Sequence, residues 1–331
     1  MSVNQDIKVS VLCIVFNHRK YIRRCLSSLV NQKTNFQYEI IVHDDASTDG
    51  TQSIIKEFAA KYPDLIKPIL QEINQYSKRN DFISNDMLPL VSGKYCVEIE
   101  GDDFWCDENK LQLQVDALEK NKQCTLCVHA TNTVDKDGNP LEMRFPMTKI
   151  EKPCLSVSEF MEMSLDSESW PFHLSAFMVS YDLYKEYMNF RSSGYPSKFY
   201  FVGDLPLYLY FGLKGNTYYI DKEMSTYTVE SGGFMSRAKR DPKFAYKVHK
   251  GFIDGLTEFD KYTKYEFSDN VRKMIAPRRF EVARLDRRFD LIVTTPELRT
   301  YIENKGFIKK AAYYVVGYSM FLIRKFMKGK A

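Results

Sequence analysis

The chain has 331 residues, 44% of them hydrophobic and 27% charged, which is the composition of a folded globular protein with room for one large or two smaller domains. A formal net charge of +4 is too slight a basic bias to argue for a nucleic-acid partner. The first ten residues lack the apolar core of a signal peptide, and no apolar run reaches the ~18 residues of a transmembrane helix. Seven cysteines in no framework spacing fit free thiols in a reducing cytoplasm. The lone pair Cys124 and Cys127, with only His129 nearby, falls short of a zinc site's four ligands.

In chain order, KVSVLCIVF (8–16) is a continuous apolar, β-branched run and predicts a strand covered on both faces. Residues 18–32 put Tyr21, Ile22, Cys25, Leu26 and Leu29 at helical spacing. A second strand is predicted over 38–45, a capped helix over 47–62, a short third strand over 65–70 and a fourth over 93–100. This alternation implies a parallel sheet with helices on both sides, which binds ligands beyond the carboxyl ends of its strands. Beyond it, 107–121 reads as an amphipathic helix capped by Asp107, 124–134 as a strand and 136–140 as a turn. Then come a strand over 173–180, a helix over 203–215 closed by Gly215, a short strand over 216–220, and helices from 242 onward.

The carboxyl ends are unusual. The first strand delivers Phe16 and Asn17, the second Asp44 and Asp45, and the fourth Glu100, Gly101, Asp102 and Asp103. In a parallel sheet these emerge on one rim, so two acidic groups from distant sequence meet there. Turns favour Asp, so a solvated turn is one reading of each group. Like charges repel and resist desolvation, so a cation held between protein and a phosphate-bearing ligand is the other.

The stretches VSVLCIVFNHRKYIRRCLSSLVNQ, YEIIVHDDASTDGT and GKYCVEIEGDDFWCDENKLQLQVDALEKN together resemble the family 2 glycosyltransferases over roughly residues 6–235. Bacterial enzymes that build capsular, O-antigen or related surface polysaccharides are the most similar branch. The resemblance implies a GT-A fold: an α/β/α sandwich with a mostly parallel nucleotide-binding sheet, followed here by a helical C-terminal region. It implies a GT-A domain over 1–241, with a donor half to about 134 and an acceptor half after it, and a helical region over 242–331. Asp44 then matches the aspartate that contacts the nucleotide base, typically uracil, and Phe16 with Ile14 and Val15 matches the wall of the base pocket. Glu100-Gly101-Asp102 occupies the DxD position, which serves the ribose and a divalent cation on the diphosphate. The usual first Asp is Glu here, and whether Asp102 or Asp103 ligates directly is open. Mn²⁺ or Mg²⁺ suits such carboxylates and stabilises a diphosphate leaving group.

The same resemblance places the general base of an inverting transfer at Asp204, with Gly203 where an acidic residue often stands. A simple helix cap is the structural alternative. Trp170 and His173 are expected in the acceptor pocket, and Arg237 at the diphosphate, in a loop carrying Gly232 and Gly233. Gln75 to Arg79 sits where relatives meet donor phosphate or ribose. The segment 305–330 has basic ends around an aromatic-rich middle. That pattern suits a helix lying on the inner-membrane surface, which fits an acceptor carried on a lipid, while docking on the domain is the alternative. The expected activity is metal-dependent, inverting transfer of a hexose or N-acetylhexosamine from a nucleotide diphosphate, with UDP expected, by a cytoplasmic or peripheral protein. A non-catalytic sugar-nucleotide or glycan-binding module and a sugar-1-phosphate nucleotidyltransferase are the alternatives. The second normally opens with a Gly-rich loop after the first strand, where this chain has FNHRKYIRR.

Overall fold

A computed structural model of the chain describes residues 7–75, 83–166, 171–192, 204–229, 237–238, 240–303 and 307–328. These residues fall into two compact units. The first takes in the described residues up to 229 except 165–166, and the second takes in 165–166 and those from 237 onward.

The first unit is built on one mixed sheet. Its strands are β1 (Val9–Val15), β2 (Tyr38–Asp44), β3 (Ile66–Leu70), β4 (Tyr95–Glu100), β5 (Phe104–Trp105), β6 (Cys124–Val134), β7 (Pro140–Phe145), β8 (Cys154–Leu155), β9 (Met178–Ser180) and β10 (Asn216–Thr228). They run in the spatial order β3-β2-β1-β4-β9-β6-β10-β5, with β7 on β6 and β8 on β10. Between them lie the helices α1 (Ile22–Val30), α2 (Thr51–Lys61), α3 (Lys110–Lys120), α4 (Val157–Ser164), α5 (Tyr181–Ser192) and α6 (Leu205–Gly212).

β1 is apolar along nearly its whole length because it lies between β2 and β4, parallel to both, and its residues are buried on either face. The core around it takes Leu26 and Leu29 from α1, Phe58 from α2 and Leu111 from α3. Register places Val15 opposite Asp44 and Ile14 opposite Glu100, so the carboxyl ends of three parallel strands share one rim. The ladder continues one residue further, from Asp45 N to Val15 O (2.9 Å) and from Gly101 N to Ile14 O (2.8 Å).

Four details differ from expectation. The strand expected over 173–180 is only β9, preceded by a tight turn over Leu174–Ala176; an apolar, wholly buried run does not distinguish the two by periodicity. β10 continues to Thr228 rather than ending at 220, because register shifts after Ile220 and Glu223 interrupt its alternation. Helix α3 starts at Lys110 with Asn109 in the cap position. Asp107 accepts instead from Asn109 N (2.8 Å) and pairs with Lys222. Helix α6 ends at Gly212, short of Gly215.

The second unit is helical: α7 (Pro242–Tyr262), α8 (Ser268–Leu285), α9 (Phe289–Thr294), α10 (Pro296–Glu303) and α11 (Phe307–Lys328). Asp241 caps α7, accepting from Lys243 N and Phe244 N at 3.0 and 3.1 Å. Phe280, Ile292, Leu298 and Ile302 form a core against which Tyr313 and Tyr314 pack. Among the described residues no helix is long and apolar enough to cross a membrane.

Candidate active site

The rim brings the acidic groups together. β4 ends in Glu100, and the turn after it holds Asp102 and Asp103. Gly101 is required between them: a Cβ there would lie 2.9 Å from His18 Nδ1, 3.0 Å from Val15 Cγ2 and 3.1 Å from Ile22 Cδ1. The chain can therefore pass close under β1 and turn its carboxylates to one side.

Asp103 is buried. Its Oδ1 accepts from Thr228 N (2.9 Å), and its Oδ2 lies 3.6 Å from His173 Nε2. Among the described residues nothing donates a hydrogen bond to that Oδ2. Ligand atoms of Glu100, Asp103 and His173 all lie within 4.8 Å of one another. Enclosure and the neighbouring carboxylates of Asp102 and Asp204 push Glu100 well above the usual carboxylate range, although its side chain remains open to solvent. Burial, then Asp102 and Glu100, push Asp103 up likewise. Asp102 faces His18, with Oδ2 3.8 Å from His18 Nε2.

His173, expected in the acceptor pocket, stands against Asp103. Burial lowers its pKa to about 4, so its ring is neutral. The ring stacks on Tyr227 (centroids 4.4 Å apart), and Nδ1 meets Ser175 Oγ at 3.0 Å. Ser175 Oγ in turn donates to Ser225 Oγ (2.9 Å), which contacts Thr131 Oγ1 (2.9 Å). This chain of hydroxyls fixes the orientation of the ring.

Asp204 stands at the N-cap position of α6, yet its side chain caps nothing. Its Oδ2 accepts from Tyr208 OH at 3.3 Å. Burial raises its pKa to about 6, with Tyr208 pulling the other way. Its charge also raises Glu98, Glu100 and Asp103, so it belongs electrostatically to the same rim.

Asp44 ends β2 fully buried. Its carboxylate accepts from Ser47 N (2.9 Å), Ser47 Oγ (2.5 Å) and Gln52 Nε2 (2.8 Å), and so closes the turn that carries Ala46 in the left-handed region (φ 63°). Asp45 Oδ1 accepts from Gln75 N (2.5 Å). Phe16 is 45% exposed just past β1. Trp170, Gly203, Gly232, Gly233 and the stretch Tyr76 to Arg79 lie outside the described residues. Arg237 lies in the second unit, its guanidinium over the ring of Phe244 at 4.2 Å.

Three residues near the rim were not singled out from sequence. His18 faces Asp102. Arg24 stacks on Phe104 (4.0 Å) and donates to Thr228 Oγ1 (3.1 Å). Glu98, two residues before Glu100 on the same face of β4, is buried, hydrogen-bonded to Tyr184 OH and pushed up to about 7 by burial. His18 and Arg24 sit in the basic run HRKYIRR, where sequence alone gives no sign of which bases turn inward. Alternation along β4 was the available signal for Glu98.

The mixed sheet, with its acidic rim at the ends of parallel strands, has the GT-A glycosyltransferase fold of the solved structures it aligns with. The N-terminal 349 residues of Staphylococcus aureus TarS, solved with UDP and with UDP-GlcNAc, align with TM-score 0.52 for each at 15% and 16% identity, over 96% of this chain and 92% of that one. A mannosyltransferase from Pyrobaculum calidifontis, solved with GDP-Man and Mn²⁺, aligns with TM-score 0.50 at 13% identity, over 97% of this chain and 84% of that one. At these identities the likeness is one of fold.

The family model described as Glycosyl transferase family 2 matches residues 10–184, just over half the chain, and the protein belongs to that family. An uncharacterized Mycobacterium tuberculosis protein, Rv1520, is 40% identical over 130 residues, which are 39% of this chain and 37% of that protein. Escherichia coli chondroitin synthase is 33% identical over 132 residues, 40% of this chain and 18% of that enzyme. The matched segment thus spans well under half the length of either relative.

Proposed function

We propose that the protein is a metal-dependent, inverting glycosyltransferase. It moves a hexose or N-acetylhexosamine from a nucleotide diphosphate, UDP, to a hydroxyl of a growing, lipid-linked surface glycan at the cytoplasmic face. In this reading residues 1–241 form the catalytic domain, with donor and acceptor halves meeting near 134. The observation that carries it is the convergence of Glu100, Asp103 and His173 within 4.8 Å. UDP is favoured by the complexes of the structural neighbour with UDP and UDP-GlcNAc. A glycan acceptor is favoured by the chondroitin synthase relative.

The donor set fits a divalent cation. It offers a buried carboxylate oxygen of Asp103 to which no described residue donates, a second carboxylate at Glu100 and a neutral imidazole at His173. Asp102 and Asp103, with Glu100 and His173 beside them, would hold Mn²⁺ or Mg²⁺. When bound, the cation neutralises charge growing on the diphosphate leaving group.

The chain's own residues do the rest. Phe16 and Asp44 flank the base, and Glu100 reaches the ribose. Trp170 and Arg237 are assigned to the acceptor and the diphosphate respectively. Asp204, as carboxylate, takes the proton of the acceptor hydroxyl while that oxygen forms its bond to the anomeric carbon. The bond from that carbon to the phosphate oxygen breaks with inversion, and the electron pair leaves with UDP. With a pKa of about 6, Asp204 is both ionised near neutrality and basic enough to act.

Calorimetry of UDP, GDP and dTDP, each with Mn²⁺ and with EDTA, tests this reading. Mn²⁺-dependent UDP binding that is lost in Asp102→Ala supports it. Failure of every nucleotide to bind, with or without metal, overturns it.

A further inference from the structure

Helix α11 offers two unlike faces. On one side Gly317 is buried, and a Cβ there would lie 2.8 Å from both Phe289 O and Val293 Cγ1. Tyr313 packs edge-on against Phe280 (5.0 Å), and Tyr314 OH reaches Glu303 (3.3 Å). This side docks the helix on its own unit.

The other side is also apolar, and it is open. Val315 is 67% exposed, Tyr318 48% and Leu322 62%, at spacings of three and four that place them in one stripe, with Val316 beside it. An exposed helix face is ordinarily polar, and an apolar one marks a site of interaction. Ser319, a polar residue within this stripe, donates its hydroxyl to Val315 O at 2.8 Å, so it asks little of water.

Charge identifies the occupant. Lys309 is exposed near the start of the helix, and Lys325 is exposed three residues beyond Leu322. The sequence adds Lys310, Arg324, Lys328 and Lys330 and has no Asp or Glu after Glu303. A second copy of this face would bring lysine against lysine. Anionic headgroups complement an apolar centre flanked by cations, and the helix does not have the length and apolarity to cross the bilayer.

We propose that α11 lies in the headgroup region of an anionic lipid surface, through the face carrying Val315, Tyr318 and Leu322. The proposal is independent of the catalytic reading. Its test is co-sedimentation of the full chain with phosphatidylcholine vesicles and with phosphatidylcholine–phosphatidylglycerol vesicles, alongside light scattering for oligomeric state. The expected result is binding to the mixed vesicles that weakens with salt and falls about tenfold or more in Val315→Glu and Leu322→Glu. Lys325→Glu should reduce the preference for phosphatidylglycerol. The substituted positions are exposed, so an unchanged melting temperature confirms that the variants fold. Absence of vesicle binding by the wild-type chain, or equal binding by the glutamate variants, overturns the proposal. So does a wild-type dimer, unable to bind lipid, that the glutamates dissociate.

Discussion

Replacing Asp204 with Asn separates the two roles open to this residue. The side chain makes no capping hydrogen bond, and its partner is Tyr208 OH. An Asn can keep that partner through its own carbonyl oxygen, so loss of a cap, ordinarily about 1 kcal/mol, is not expected. The folded-state pKa of about 6 stands above the unfolded value near 3.8. The sign follows: folding penalises the ionised form, the penalty grows as pH rises from 3.8 to about 6, and it is fully present at pH 7. Two pKa units correspond to a penalty of roughly 2–3 kcal/mol as an upper bound, part of which Asn removes. Asp204→Asn should therefore melt at the same temperature as wild type or a few degrees higher. Transfer to acceptor should fall by about 10²–10⁴, the usual contribution of a general base, with UDP binding preserved. Differential scanning fluorimetry, UDP calorimetry and a transfer assay on one preparation read all three. Full activity in the variant would refute the base, and a clear loss of stability with activity intact would restore the cap.

The remaining predictions concern the same rim. Transfer should fall as pH drops through about 6, because Asp204 works as a carboxylate; bound cation favours the ionised form and moves this limb lower, and a pH–rate profile at several Mn²⁺ concentrations checks both. Asp103→Asn and His173→Ala should each weaken Mn²⁺ binding in calorimetry by about 10- to 100-fold without nucleotide present, which activity loss alone would not distinguish from misfolding. Gly101→Ala forces a Cβ against His18, Val15 and Ile22 and should cost about 1–3 kcal/mol in urea denaturation. Ala46→Gly relieves a left-handed alanine (φ 63°) and should stabilise by about 0.5–1 kcal/mol in the same assay.

The donor side of the fold was readable from sequence because its strands are buried on both faces. An apolar β-branched run such as 8–16 has one plausible home, between two parallel neighbours. Strand β6 matches its expected bounds at 124–134 for the same reason. Where a run is apolar but short, as at 173–180, periodicity does not separate strand from tight turn. Where bulges shift the register, as in β10, the alternation that would mark a strand is lost. The same limits hid α4, α5 and the short strands β5 and β8, whose existence depends on what they pack against.

The acids at the strand ends were legible in the sequence, while Glu98, His18 and Arg24 were not, and His173 was singled out without its neighbour Asp103. Asp44, Glu100, Asp102 and Asp103 stand at strand ends, and parallel topology alone carries them to one rim. His173 lies 70 residues beyond Asp103, and the antiparallel pairing of β9 with β4, Met178 opposite Val97, carries the turn before β9 to the end of β4 where Asp103 stands. His18 and Arg24 turn inward because Gly101 leaves room for the first and Phe104 offers a ring to the second. Even so, these bases do not balance the rim. Burial keeps His173 neutral, and Arg24, though charged, is engaged with Phe104 and Thr228. Glu100 and Asp103 remain pushed toward their protonated forms. A cation from outside would draw both back into the carboxylate range and remove much of the repulsion the strand end carries. The melting temperature should therefore rise on adding Mn²⁺, and more at pH 8 than at pH 5, where protons already perform part of that neutralisation. A rise independent of pH would mean that the ion binds somewhere other than at these carboxylates.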